Sequence, residues 1–86
     1  MQPLEYYLTR ATEAGACAED IEAIRACGTI EEVMKHPRAP YWAYWYAFHA
    51  IKGRWLEAED TIRTDAEDAY WYARHVIKGR WPKRRT

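Results

Sequence analysis

Apolar residues recur along the chain at intervals of three and four, and the strict two-residue alternation of a half-buried strand is missing. Leu4, Tyr7, Leu8 and Ala11 mark a first helix that opens after Pro3 and closes at Gly15, a residue suited to a C-terminal cap. A second helix over 17–27 sets Ile21, Ile24 and Cys27 on one side behind an acidic first turn of Glu19 and Asp20, with Gly28 as its stop. Thr29 followed three residues later by Glu32 is a capping box, and Ile30, Val33 and Met34 form the apolar face of a third helix that runs to Pro37.

Beyond Pro37 the pattern is written twice. AYWYAFHAIKGRW over 43–55 returns as AYWYARHVIKGRW over 69–81, 26 residues later, with 11 of 13 positions identical. Each copy predicts a long helix, over 40–52 and 66–78. Pro40 sits in the first turn of one, and Asp65 is the N-cap of the other. Gly53 and Gly79 are expected as left-handed caps, with Lys52 and Lys78 favouring the negative end of each helix dipole. Between the copies, LEAEDTIRT predicts a short helix with Ile62 facing inward. A period of 26 built from a helical hairpin implies a repeat architecture, in which each unit buries its apolar face against a neighbour. The expected fold is all-α, with about six helices in a short solenoid-like array of helical hairpins behind an N-terminal helical cap. It forms one domain over 1–86, with N-terminal helices over 1–38, a first repeat over 39–64 and a truncated second repeat over 65–86.

On each long helix Ala43, Ala47, Ala50 and Ile51, or Ala69, Ala73, Val76 and Ile77, make a seam whose small residues let backbones approach. Tyr44, Tyr46, Tyr70 and Tyr72 flank it, each able to bury a ring while its hydroxyl finds a polar partner. On the opposite face Trp42, Trp45, His49 and Lys52 form a stripe, matched by Asp68, Trp71, His75 and Lys78. These rings either pack on a neighbouring helix or form an aromatic patch for a protein partner, since Trp, Tyr and Arg are enriched at interface hot spots. Trp55 and Trp81 are expected to fold back over the ends of the helices they follow, with Arg54 and Arg80 near ring faces or near acids of a neighbouring unit.

Charge and composition narrow the choice. Net charge is zero, but Met1 to His36 carries seven acids against three bases, and Pro37 to Thr86 six acids against ten bases. That asymmetry suits an acidic partner surface or association of opposite ends, and the zero total argues against a strongly basic histone-like binder. Cys17 and Cys27 lie ten residues apart in one predicted helix, roughly 15 Å, too far for a disulfide. Signal peptide, lipidation box and long apolar run are all missing, so the expectation is a soluble protein of a reducing cytoplasm with no membrane contact. The three histidines form no HExxH motif and neither cysteine has a CxxC partner, so no metal or cofactor is expected. All four glycines are isolated, which removes phosphate loops, dinucleotide fingerprints and nucleophile elbows. An enzyme is not expected.

The phrases around AIKGRW and VIKGRWP, each after AYWYA, resemble the short tandem helical repeats with a core like YARxVIKGRWPEAE, found in phage and bacterial proteins of mostly unassigned function. The resemblance covers roughly residues 39–82. Its signature falls on Ile51, Lys52, Gly53, Arg54, Trp55, Glu57, Ala58 and Glu59, and again on Ile77, Lys78, Gly79, Arg80, Trp81 and Pro82. Leu56 replaces the usual Pro, His49 and His75 stand where an acid is common, and the second copy passes into KRRT where the first continues EAED. A repeat end left uncovered tends to associate, so the 66–78 helix with the Lys83, Arg84 and Arg85 tail is expected to dimerise or dock a partner. The resemblance carries no catalytic residue. It implies a cytoplasmic phage or prophage accessory protein that binds and blocks a factor of its bacterial host. The aromatic stripe and the repeat end, read from spacing, would then supply the contacts: Trp42, Trp45, His49, Trp71, His75 and the basic tail. The rival reading is a nucleic-acid binder that uses the basic C-terminal end and stacks bases on its Trp rings.

Overall fold

The computed structural model describes residues 1–79 and 81. Among them six α-helices and no strand are present: α1 (Leu4–Glu13), α2 (Ala18–Cys27), α3 (Ile30–Met34), α4 (Ala39–Tyr46), α5 (Glu59–Ile62) and α6 (Ala66–Tyr72). Their caps follow the local chemistry. Gly15 and Gly28 take positive φ of 101° and 90° after α1 and α2. The Thr29 hydroxyl accepts from the Glu32 N–H at 3.1 Å to start α3. Asp65 Oδ1 accepts from the N–H groups of Glu67 and Asp68, both at 3.0 Å, to start α6.

The long helices end differently from the expectation. Each widens into a π-helical turn, Ala47–Ile51 after α4 and Ala73–Ile77 after α6. The Lys52 N–H reaches back five residues to the Ala47 carbonyl at 2.7 Å, and Lys78 does the same to Ala73 at 2.8 Å. The left-handed residues are therefore Lys52 (φ 61°) and Lys78 (φ 64°), not Gly53 and Gly79. The wide turn takes in one more residue before the chain reverses, which shifts the reversal one position ahead of the glycine. Gly53 and Gly79 donate to the same two carbonyls, each at 3.2 Å, from backbone outside the left-handed region.

The core is aromatic. Trp55 does more than cover its own helix end: its ring lies 4.9 Å from Tyr46 of α4 and 5.4 Å from Tyr7 of α1, and Tyr7 and Tyr46 are 5.6 Å apart edge to face. This triad ties the N-terminal helices to the first copy. The second copy repeats one side of it, with Trp81 at 4.9 Å from Tyr72 and the Arg63 guanidinium 4.2 Å above the Trp81 ring. Along the seam Ala43 and Ala47 are fully buried, and α6 packs alongside α4. Ala73, Val76 and Ile77 are half-buried. The whole is a globule of 33 × 24 × 21 Å with a radius of gyration of 12.4 Å, close to the roughly 12 Å of a compact domain of this length. No described helix is long and apolar enough to cross a membrane.

Candidate functional site

One buried joint sets the two long helices side by side. The Trp55 N–H donates to the Tyr72 hydroxyl at 2.8 Å, and that hydroxyl donates to Glu59 Oε2 at 2.8 Å. Arg54 closes the arrangement with a two-pronged pair to Glu59, both contacts 2.8 Å. Burial alone would raise the Glu59 carboxyl, but the hydrogen bonds from Arg54 and Tyr72 outweigh it and hold the group below the usual carboxylate range. Burial, with the Glu59 charge adding to it against the Trp55 N–H, pushes the Tyr72 hydroxyl up to about 12. Turn, short helix and α6 are locked by four polar groups that satisfy one another.

That register lays a row of rings across the surface. Spacing of four puts His49 beneath Trp45, with ring centroids 4.6 Å apart, and His75 beneath Trp71, stacked at 5.2 Å. Phe48 joins the copies, 4.8 Å from His49 and 5.7 Å from His75. Tyr44 stacks on Phe48 at 6.1 Å, and its hydroxyl is hydrogen-bonded to His75 Nδ1 at 3.1 Å. Tyr70 extends the row beside Trp71 at 5.0 Å. Phe48 is 40% exposed, Trp71 37% and Tyr70 55%. Rings that large, left open together on two adjacent helices, form the candidate surface. A groove lined by Phe48, His49, Lys52, His75, Val76 and Lys78 runs beside them, so exposed cations flank the row.

The residues expected as partner contacts divide. Trp45, His49, Trp71 and His75 lie in this row. Trp42 does not: it is buried in the core, its ring 4.5 Å from His36 and the Arg38 guanidinium 5.7 Å above it. The helix is covered there by the segment entering α4, so the stripe loses its first member; in the second copy the same position is Asp68, half-buried and raised by that burial and by Asp65 and Glu67. Lys83, Arg84, Arg85 and Arg80 lie outside the described residues. Among the signature positions, Lys52 and Lys78 shape the helix ends, Arg54 holds Glu59, and Trp55 and Trp81 pack on Tyr46 and Tyr72.

Phe48 and Tyr44 belong to the surface although sequence reasoning left out the first and set the second beside the seam. A signal for Phe48 was present. It is one of two positions at which the copies differ, facing Arg74 in the register, and it stands four residues after Tyr44. Among the described residues no three His, Cys, Asp or Glu side chains converge as a metal site. The fold and surface define an all-α chain with a ring-lined, cation-flanked face. No family model, curated protein or solved structure matches it.

Proposed function

We propose that the chain is a short array of helical hairpins acting as a non-enzymatic protein-binding module, and that it docks a protein partner through the row Trp45, His49, Phe48, His75, Trp71 and Tyr70. What carries this reading is the continuity of partly exposed rings across α4 and α6. Aromatic anchors deliver most of the energy of an interface when a partner desolvates them. Lys52, Lys78 and Arg74 are exposed beside the rings, and they favour a partner that presents carboxylates around an apolar anchor. The resemblance of the repeat supplies the setting: a cytoplasmic phage or prophage accessory protein that binds and blocks a host factor.

The test compares wild type with Phe48→Ala and Trp71→Ala as bait in a bacterial lysate, followed by titration of the purified captured protein. Each variant is expected to keep its helical circular dichroism and to bind about 30-fold more weakly, the loss typical of a hot-spot residue. Equal binding by wild type and both variants overturns the assignment of this face. Exposed rings next to lysines also favour the second reading, base stacking on a single strand. Anisotropy with single-stranded DNA and RNA at low ionic strength separates the two: salt-sensitive binding that both alanine variants lose replaces the protein partner with a nucleic acid.

A further inference from the structure

The face of α4 that receives α6 has an equivalent on α6 itself, 26 residues further on. In the first copy that face carries Pro40, Tyr41, Tyr44, Ala47 and Phe48; Ala47 is fully buried, and Tyr44 and Phe48 meet His75 beyond the end of α6. In the second copy it carries Ala66, Glu67, Tyr70, Ala73 and Arg74, which spacings of three and four set on one side of the helix. That side is open: Ala66, Glu67, Tyr70 and Arg74 are exposed, Tyr70 by 55%, and Ala73 is half-buried. What covers the face in the first copy is a long helix of nearly the same sequence.

The two faces differ in charge. Tyr41 and Phe48 of the first are replaced by Glu67 and Arg74 in the second, opposite charges two turns apart, roughly 10 Å along the helix axis. Among the described residues neither side chain is in an ion pair, and Arg74 reaches the Tyr70 hydroxyl at 3.5 Å. The division runs the length of the helix: Asp65, Glu67 and Asp68 stand at its start, and Arg74 and Lys78 at its far end. The first turn of α4 holds no acid.

We propose that two molecules of this protein associate about a two-fold axis through this face of α6, with the helices antiparallel, Tyr70 at the centre, and Glu67 of each chain opposite Arg74 of the other. An antiparallel pair lays the acidic start of one helix along the basic end of the other and offsets the two helix dipoles. A parallel pair would set like charges together. Ala66 and Ala73 leave room for the second helix. Head-to-tail growth is blocked, because the side of α4 that would have to receive a further α6 is closed by the N-terminal segments, with Trp42 buried against His36 and Arg38. A two-fold contact closes on itself, so the assembly stops at the dimer. This contact shares only Tyr70 and the flanking Arg74 with the partner row, and either surface can fail alone.

Sedimentation equilibrium of the full chain, from about 10 µM to about 1 mM, tests this. The contact of one helix face is small, so a dissociation constant on the order of 100 µM is expected, rising with added salt. Glu67→Arg and Arg74→Glu are each expected to keep the helical circular dichroism and to weaken self-association about tenfold, because each sets like charges in contact twice across the axis. An equal mixture of the two variants is expected to recover association, since every cross-chain pair then joins opposite charges. Wild type that stays monomeric at about 1 mM overturns the proposal. So does self-association that neither variant weakens, or that Phe48→Ala abolishes, and so does a mixture that associates no better than its components.

Discussion

Lys52 and Lys78 occupy a conformation that costs an L-residue about 1–2 kcal/mol and costs glycine almost nothing. In both copies a glycine stands next to the residue that adopts it. Lys52→Gly is therefore expected to stabilise the chain by roughly 0.5–1 kcal/mol after the added freedom of the unfolded chain is counted, a rise of about 2–8 °C in melting temperature for a domain of this size. Gly53→Ala separates the structure from the sequence expectation. A left-handed cap at residue 53 would make alanine there destabilising. Since φ at Gly53 is not in that region and a methyl group would meet nothing within 4 Å, the variant is expected to be neutral or slightly stabilising in the same thermal melt. A clear loss would return the cap to the glycine.

At the scale of elements, the joint of Arg54, Glu59, Tyr72 and the Trp55 N–H decides how the first hairpin meets α6. Its two titrating groups set opposite limits. The Glu59 carboxyl is lowered on folding, so its contribution is present above the ordinary carboxylate value and is lost as pH falls through the folded one. The Tyr72 hydroxyl is raised from 10 to about 12, so its contribution is present below pH 10 and is lost as pH climbs toward 12. Urea midpoints measured across pH are expected to fall at both ends. Glu59→Gln should flatten the acid limb while lowering stability at neutral pH by about 1–3 kcal/mol, the usual cost of disturbing a buried charged hydrogen bond. Tyr72→Phe should flatten the alkaline limb. An acid limb unchanged in Glu59→Gln would show that other carboxylates govern it.

Across the whole molecule, the five tryptophans have been given unlike work by their surroundings. Trp42 and Trp55 are each 7% exposed and Trp71 is 37% exposed. Trp42→Ala is expected to cost about 3–5 kcal/mol, much of the stability of a small domain. Trp71→Ala should cost no more than about 1 kcal/mol, and urea denaturation of the two variants measures the contrast directly. If Trp71→Ala proved as damaging as Trp42→Ala, the ring row would be core and the docking proposal would fail at this face.

The helices, the caps at Gly15, Gly28 and Asp65, the seam at Ala43 and Ala47 and the inward Ile62 were all legible in the sequence, because each depends on residues within one or two turns. The left-handed caps expected at Gly53 and Gly79 were not, because the π-helical turn moves that conformation to Lys52 and Lys78. The face carrying Trp45, His49, Trp71 and His75 was legible for the same reason, since spacing of four fixes which side chains share a helix face. Which member of that face is covered was not: Trp42 and Trp45 are read alike by periodicity, and the segment folded against α4 takes one and leaves the other partly open. The bridging role of Phe48 and the Glu59 joint depend on contacts between segments 13 to 31 residues apart. A repeat states what its two copies share. Where they differ, only the packing of each copy against its own neighbour decides which rings are covered and which remain exposed.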